Sequence, residues 1–368
     1  MGRPVFIPTT SQAARAFHYN DFTMIKVAFR ILFLLILSAL ALTGCSDDPS
    51  PRNPLDSLDA LEKIVAERYC YLGEKEIDWH GACAEARSLL DPDTDPLTTF
   101  TVMSNLLDTL RDGHVNLSAP FATSYYKKWW SDYPQDFDDR CLQEYYLHFG
   151  GLQSGSIQYA VFLPDTIGYI RYPSFSSPVG ESQLDYILAL LGDTKGLVID
   201  IRDNGGGLLT NVPAFVGRFI DREFLAGYIR HKTGPGADDF SDPYPVKDSP
   251  ASGRVQYFKP IAVLTNRSCF SAANDFVSVM KQLPQVKIVG ARTGGGGGLP
   301  FTSELPNGWA IRFSASPMYD AAMQSTEAGI DPSEGCEVHS PATELAEGRD
   351  AILDFALDML GKGIEKIK

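Results

Sequence analysis

The feature that most narrows the fold is the run Gly196-Leu197-Val198-Ile199-Asp200-Ile201-Arg202, which meets the turn Asp203-Asn204-Gly205-Gly206-Gly207. A nearly unbroken apolar run closed by glycines is the signature of a strand buried on both faces, and such strands belong to parallel sheets. A helix-like run starts near Leu208. The pattern then recurs. Ile261-Ala262-Val263-Leu264 reads as a strand, and Ala272, Phe276, Val279, Met280 and Leu283 fall at helical spacing. Residues 286–289 read as the next strand. Two such crossovers predict an α/β core with helices packed on a mostly parallel sheet.

Around this core the periodicity places strands at residues 157–162, 167–172 and 309–313, and helices within 181–193 and 350–360. Upstream, Leu58, Leu61, Ile64, Val65 and Tyr69 share one helical face, as do Phe100, Met103, Leu106, Leu107 and Leu110. Residues 56–116 therefore read as an N-terminal helical domain and residues 117–361 as the α/β domain. No internal repeat is visible.

Two side chains lie at junctions where chemistry is possible. Ser271 stands where a strand hands over to a helix, beside free N–H groups and a positive dipole end. There it serves either as a helix cap, as Ser268 also would, or as a nucleophile whose developing oxyanion meets backbone donors. His114, in Leu110-Arg111-Asp112-Gly113-His114-Val115, stands where a helix gives way to an alternating strand. It is either a turn histidine or a group facing a cleft. The aromatic segment around Tyr125, Tyr126, Trp129, Trp130, Tyr133 and Tyr145 is either packing or the wall of a groove. The glycine run 294–298 lacks the Gly-Lys-Ser/Thr ending of a phosphate loop, which argues against nucleotide. It reads as a flexible loop or as backbone that a ligand approaches closely.

The N-terminal region carries an address. From Met24, two basic residues (Lys26 and Arg30) precede an apolar run over residues 31–42 and then Thr43-Gly44-Cys45. This is a secretory signal over residues 24–44, too short to span a bilayer. Leu42-Thr43-Gly44-Cys45 resembles the bacterial lipobox, which implies a lipid on Cys45 and a membrane partner in the cell envelope. Residues 45–55 are a polar, proline-containing tether. Ser46-Asp47-Asp48 resembles the acidic export tag of surface lipoproteins, which implies the outer membrane and its outer face.

Composition excludes rather than selects. The net charge of −14 leaves no basic footprint for nucleic acid. Of six cysteines, Cys45 is spoken for, and Cys70 and Cys83 are the nearest pair among the rest. No cysteine–histidine cluster suggests a metal, and nothing calls for a cofactor.

Several segments together resemble the tail-specific (C-terminal processing) serine proteases, a family that includes the tricorn-core branch and the retinoid-binding interphotoreceptor modules. Asp112-Gly113-His114 is similar to the family's Asp-Gly-His. Residues 200–207 are similar to its Asp-Leu-Arg-Asn-Asn-Pro-Gly-Gly turn, residues 266–276 to its nucleophile stretch, and residues 327–332 to its Glu-x-Gly-Ile-x-Pro turn. The resemblance implies a crotonase/Clp-like core of repeated ββα or βαβ units behind an N-terminal helical domain. It implies a serine endopeptidase acting on peptides or unfolded proteins. Ser271 would be the nucleophile, His114 the base and Glu327 its carboxylate partner, with the backbone N–H groups of Gly206, Gly207 and Ala272 as oxyanion donors.

The sequence departs from that pattern in three places. The lysine base of the processing branch is replaced by Gly296, which favours the tricorn-like Ser-His-Glu arrangement. A serine that precedes the histidine in that branch is Gly113 here, leaving open whether Glu327 meets His114 directly or through water. A PDZ module needs about 80 to 100 residues, more than the interval 117–154 offers, so selection is expected from the cleft itself. The rival reading is a retired protease fold that binds peptides or hydrophobic ligands, and a third is hydrolysis of a small ester or amide.

Overall fold

The computed structural model describes residues 53–163 and 166–362. The signal, the Cys45 lipidation site and most of the tether lie outside the described residues.

Three helices open the described chain: α1 (Pro54–Arg68), α2 (Trp79–Ser88) and α3 (Pro96–Asp108). Each starts where its sequence says it should. Asn53, Asp78 and Asp95 accept hydrogen bonds from first-turn N–H groups, and proline stands at the start of α1 and α3. The chain then makes the hairpin β1 (Asn116–Ala119) and β2 (Ala122–Thr123), a short helix Lys128–Ser131, and the strands β3 (Leu152–Ser154), β4 (Ile157–Phe162) and β5 (Ile167–Arg171). Next come α4 (Glu181–Leu190), β6 (Gly196–Asp200), α5 (Asn211–Val216), β7 (Phe224–Ile229), β8 (Tyr244–Asp248) and β9 (Ile261–Thr265). The last elements that matter are α6 (Ala272–Met280), β10 (Val286–Gly290), β11 (Gly298–Glu304), β12 (Ala310–Asp320) and α7 (Ala351–Lys362).

Two sheets result. One has the order β10-β9-β6-β5-β4-β3, with β10, β9, β6 and β5 parallel and β4 and β3 antiparallel at one edge. β5, β6 and β9 are buried at every position, as the apolar runs require. The mostly parallel α/β core is therefore as expected. The second sheet, β2-β1-β12-β7-β8 with β11 on β12, is wholly antiparallel and was not foreseen.

The N-terminal helices share one core with that antiparallel sheet: Leu58, Leu61, Met103 and Leu107 pack with Leu117, Trp309, Ile311 and Phe313. This joint core is what fixes the end of α3, and hence His114, relative to the rest. At the carboxyl end of β6, Arg202 is fully buried between Asp200 (Nη2 to Oδ2, 2.6 Å) and Asp350 just before α7 (Nη1 to Oδ2, 2.8 Å). Removing one carboxylate would leave a buried charge unpaired. The arginine thus pins the turn that follows. Cys70, Cys83, Cys141, Cys269 and Cys336 are all buried free thiols, so the expected pairing of Cys70 with Cys83 does not form. The two sit in the helical core as small apolar side chains.

Candidate active site

β9 delivers the chain to Asn266, and α6 begins at Ala272, leaving Ser271 at the junction with φ 58° and ψ −122°. A non-glycine residue in that region costs about 1–3 kcal/mol and persists only where neighbours impose it. They do so here. The Ser271 N–H donates to Gly295 O (2.8 Å), the Phe270 N–H to Asn204 O (3.0 Å) and the Asp275 N–H to Ser271 O (3.0 Å). The serine side chain makes no capping bond to α6, so the cap reading is set aside. Its Oγ lies 3.0 Å from His114 Nε2, across 157 residues of sequence.

His114 is held from behind. Its backbone N–H donates to Asp112 Oδ1 (2.7 Å), and its ring lies 4.8 Å from that of Phe270. Burial pushes the imidazole down to about 4; Asp112 opposes this, while Arg312 and Lys75 add to it. The ring is therefore neutral at physiological pH. Its Nδ1 is buried and has no hydrogen-bond partner among the described residues.

Glu327, whose link to His114 the sequence left open, has its carboxylate on other partners. Its Oε2 accepts the Gly297 N–H (3.0 Å), and its Oε1 is 2.6 Å from Lys75 Nζ. Burial, joined by the charge of Asp112, pushes its carboxyl above the usual range against the pull of Lys75. Asp112 goes the other way. Burial alone would raise it, but Lys75 and the hydrogen bonds from the His114 backbone N–H and from Ser314 Oγ (2.8 Å) hold it low. The carboxylate beside the histidine is thus Asp112, with Glu327 one cation further back. Lys75 also donates to Tyr69 Oη (3.1 Å) and to the carbonyls of Leu110 (3.3 Å) and Arg111 (3.2 Å). Its place in Gly73-Glu74-Lys75-Glu76 reads in sequence as a solvated turn, and no local signal marks it.

The glycine turn closes the site from the other side. Asn204 Oδ1 accepts the Gly206 N–H (2.9 Å), and Asn266 grips Asp203 with two bonds, 3.0 and 2.7 Å, tying this turn to the serine loop. The N–H groups of Gly207 and Ala272 have no protein acceptor among the described residues. A Cβ on Gly206 would stand 2.8 Å from Ser271 Cβ and 2.9 Å from Ala272 N. Glycine there keeps open the space beside the serine hydroxyl. Of the three expected donors, the Gly206 N–H is thus taken by Asn204, and those of Gly207 and Ala272 are unspent among the described residues.

The run 294–298 is tightly packed rather than a loose loop. Every one of its glycines is buried. A Cβ on Gly294 would meet the Trp129 ring at 2.4 Å, and one on Gly296 the Phe270 ring at 2.5 Å. Trp129 stacks on Phe270 with centroids 4.2 Å apart, and Phe270 backs His114. Tyr125, Tyr126, Trp129 and Trp130 line a cleft of about 570 Å³ that also contains His114, Ser271 and the turn 205–207. Four of the six aromatics thus wall this cleft, whereas Tyr133 lines a neighbouring one and Tyr145 packs beside Gly348.

A family model, "Peptidase family S41", matches residues 166–334. The crystal structure of a putative peptidase from Parabacteroides merdae is 42% identical with a TM-score of 0.81, covering 86% of this chain and 99% of that one. The chain belongs to peptidase family S41. This S41 chain is also 25% identical over 198 residues to the tricorn protease of Thermoplasma acidophilum, 53% of this chain and 17% of that one. Mature CPAF, at 15% identity, shares the fold, with a TM-score of 0.64 over 86% of this chain and 99% of that chain. The matched stretch spans only 10% of the length of the first curated relatives. Family membership places the chain among serine-type peptidases.

Proposed function

We propose that this S41 chain is an endopeptidase that cleaves extended peptides or unfolded segments, with Ser271 as nucleophile and His114 as general base. The observation that carries this is the 3.0 Å contact between Ser271 Oγ and His114 Nε2, made by a serine held at positive φ. A spent catalytic site has no reason to keep such strain. Ser271 Oγ adds to the scissile carbonyl as its proton passes to Nε2. The N–H groups of Ala272 and Gly207 then hold the oxyanion. Collapse expels the amine, which takes the proton from His114, and water hydrolyses the acyl-enzyme by the same route. Asp112 supplies the negative charge that favours the imidazolium, and Glu327 supports it through Lys75.

A fluorophosphonate probe should label Ser271. Ser271→Ala and His114→Ala should each abolish both labelling and turnover of an unfolded protein substrate. Wild-type turnover in either variant would sink the proposal. A protein that binds peptides without being labelled would support the retired-fold reading.

We also propose that the chain is anchored in the bacterial envelope through lipid on Cys45, on the motif Leu42-Thr43-Gly44-Cys45. Cys45→Ala should release the protein from the membrane fraction. Retention in that fraction would count against the anchor.

A further inference from the structure

One turn of α6 beyond the nucleophile lies a second cavity of about 230 Å³. Its walls are apolar, with Leu209, Val246, Val279 and Met318 among them, but Asp248 and Asp275 also face it. Asp248 is only 5% exposed, and among the described residues its carboxylate has no hydrogen bond or ion pair. The carboxylate of Asp275, half-buried, has none either. No lysine, arginine or histidine lines the space. Two carboxylates that face each other in an apolar cavity without a cation are costly. The cost shows in their titration: burial raises both, and Asp248 helps push Asp275 up to about 7.

The cavity adjoins the helix that the nucleophile precedes. The Asp275 N–H donates to Ser271 O (3.0 Å), and the two residues are about 6 Å apart along the helix axis. Leu209 comes two residues after Gly207 of the turn that borders the serine. Asp275 and Leu209 thus bring the cavity wall close to Ser271 and to the turn beside it.

We infer that this cavity is a specificity pocket for a basic side chain of the substrate, lysine or arginine, whose aliphatic stem lies on Val246, Val279 and Met318 while its cationic end meets Asp248 and Asp275. A hydrated divalent cation fits less well, because it needs six or more oxygen ligands and finds two carboxylates among apolar walls. The inference rests on the peptidase reading for its location, but its test reads binding separately from cleavage.

The test uses paired peptides, identical except for lysine or norleucine beside the scissile bond. Binding is read by fluorescence anisotropy on Ser271→Ala protein, and cleavage on the wild type. The lysine peptide should bind on the order of tenfold more tightly, and Asp248→Asn with Asp275→Asn should erase that preference. Asp275→Lys, at the half-exposed position, should turn the preference toward a glutamate peptide and guards against misfolding of the buried substitution. Equal binding of the lysine and norleucine peptides to Ser271→Ala protein would overturn the pocket, as would an intact preference in the double variant. If the wild type neither cleaves nor takes up a fluorophosphonate probe, the peptidase reading fails while the anisotropy contrast still decides the pocket.

Discussion

Lys75 Nζ lies 2.6 Å from Glu327 Oε1 and 3.9 Å from Asp112 Oδ2, a single ammonium set between two buried carboxylates. Replacing it with methionine leaves those carboxylates facing each other without a counter-charge. Lys75→Met should cost about 3 kcal/mol in urea denaturation at neutral pH. The sign of its pH dependence follows from the direction of the Glu327 shift. A carboxyl whose folded pKa is raised contributes most below its unfolded value and loses that contribution as pH rises. The penalty should therefore shrink at pH 5 and deepen at pH 8. Adding Glu327→Gln should recover part of it, giving a non-additive cycle of about 1 kcal/mol or more. Additive losses would mean that the ion pair is incidental.

The depressed His114 gives a second titration. Its ordinary pKa of 6.5 falls to about 4 in the folded chain. Between those values the unfolded chain holds a proton that the folded one does not. Stability therefore rises with pH across that window and drains as pH falls from 6.5 to 4. His114→Gln should flatten this dependence, read as the difference in urea midpoints between pH 4 and 7. The acid limb of kcat/KM in the wild type should lie near 4 rather than near 6.5, because the base stays neutral down to that point.

Much of this arrangement was legible because local chemistry enforces it. The apolar runs at β6 and β9 admit only buried strands, and a serine at a strand-to-helix junction has few roles. His114 at the end of α3 was marked by its motif and by the change in periodicity. What escaped was decided by distant neighbours. The glycines at 294 and 296 are required by the rings of Trp129 and Phe270, which no window of sequence places there. Lys75 sits between two glutamates and looks solvated; only the fold turns it toward Glu327. Strands β7, β8 and β11 carry Gly227, Pro245 and Pro300, which break the alternation that would have revealed them.

Gly206 offers a direct probe of the space beside the hydroxyl. At φ 93°, an added methyl is strained, and it would stand 2.5 Å from Phe270 O as well as 2.9 Å from Ala272 N. Gly206→Ala should lower kcat on the order of a hundredfold and slow fluorophosphonate labelling to match. Its Tm should move less than its rate, since the turn borders an open cleft. Wild-type kcat would show that the oxyanion forms elsewhere.

Gly113 occupies the position where the tricorn-like pattern has a serine, and the structure gives the reason. A Cβ at 113 would stand 2.5 Å from Trp129 Nε1 and 2.9 Å from Phe270 Cζ. The tryptophan stack has taken that space. Gly113→Ser should therefore push Phe270 away from the imidazole it backs and misplace His114 relative to Ser271. A displacement of about 1 Å at a reacting pair costs on the order of a hundredfold in rate, so kcat/KM should drop by that order. Trp129→Ala removes the nearer of the two crowding rings, so Gly113→Ser combined with Trp129→Ala should be more active than Gly113→Ser alone. Titrating both proteins with the fluorophosphonate probe would separate a misplaced histidine, which slows labelling, from a lost aromatic wall, which raises KM. If the double variant is no better than the single, steric exclusion by Trp129 is not why glycine stands there.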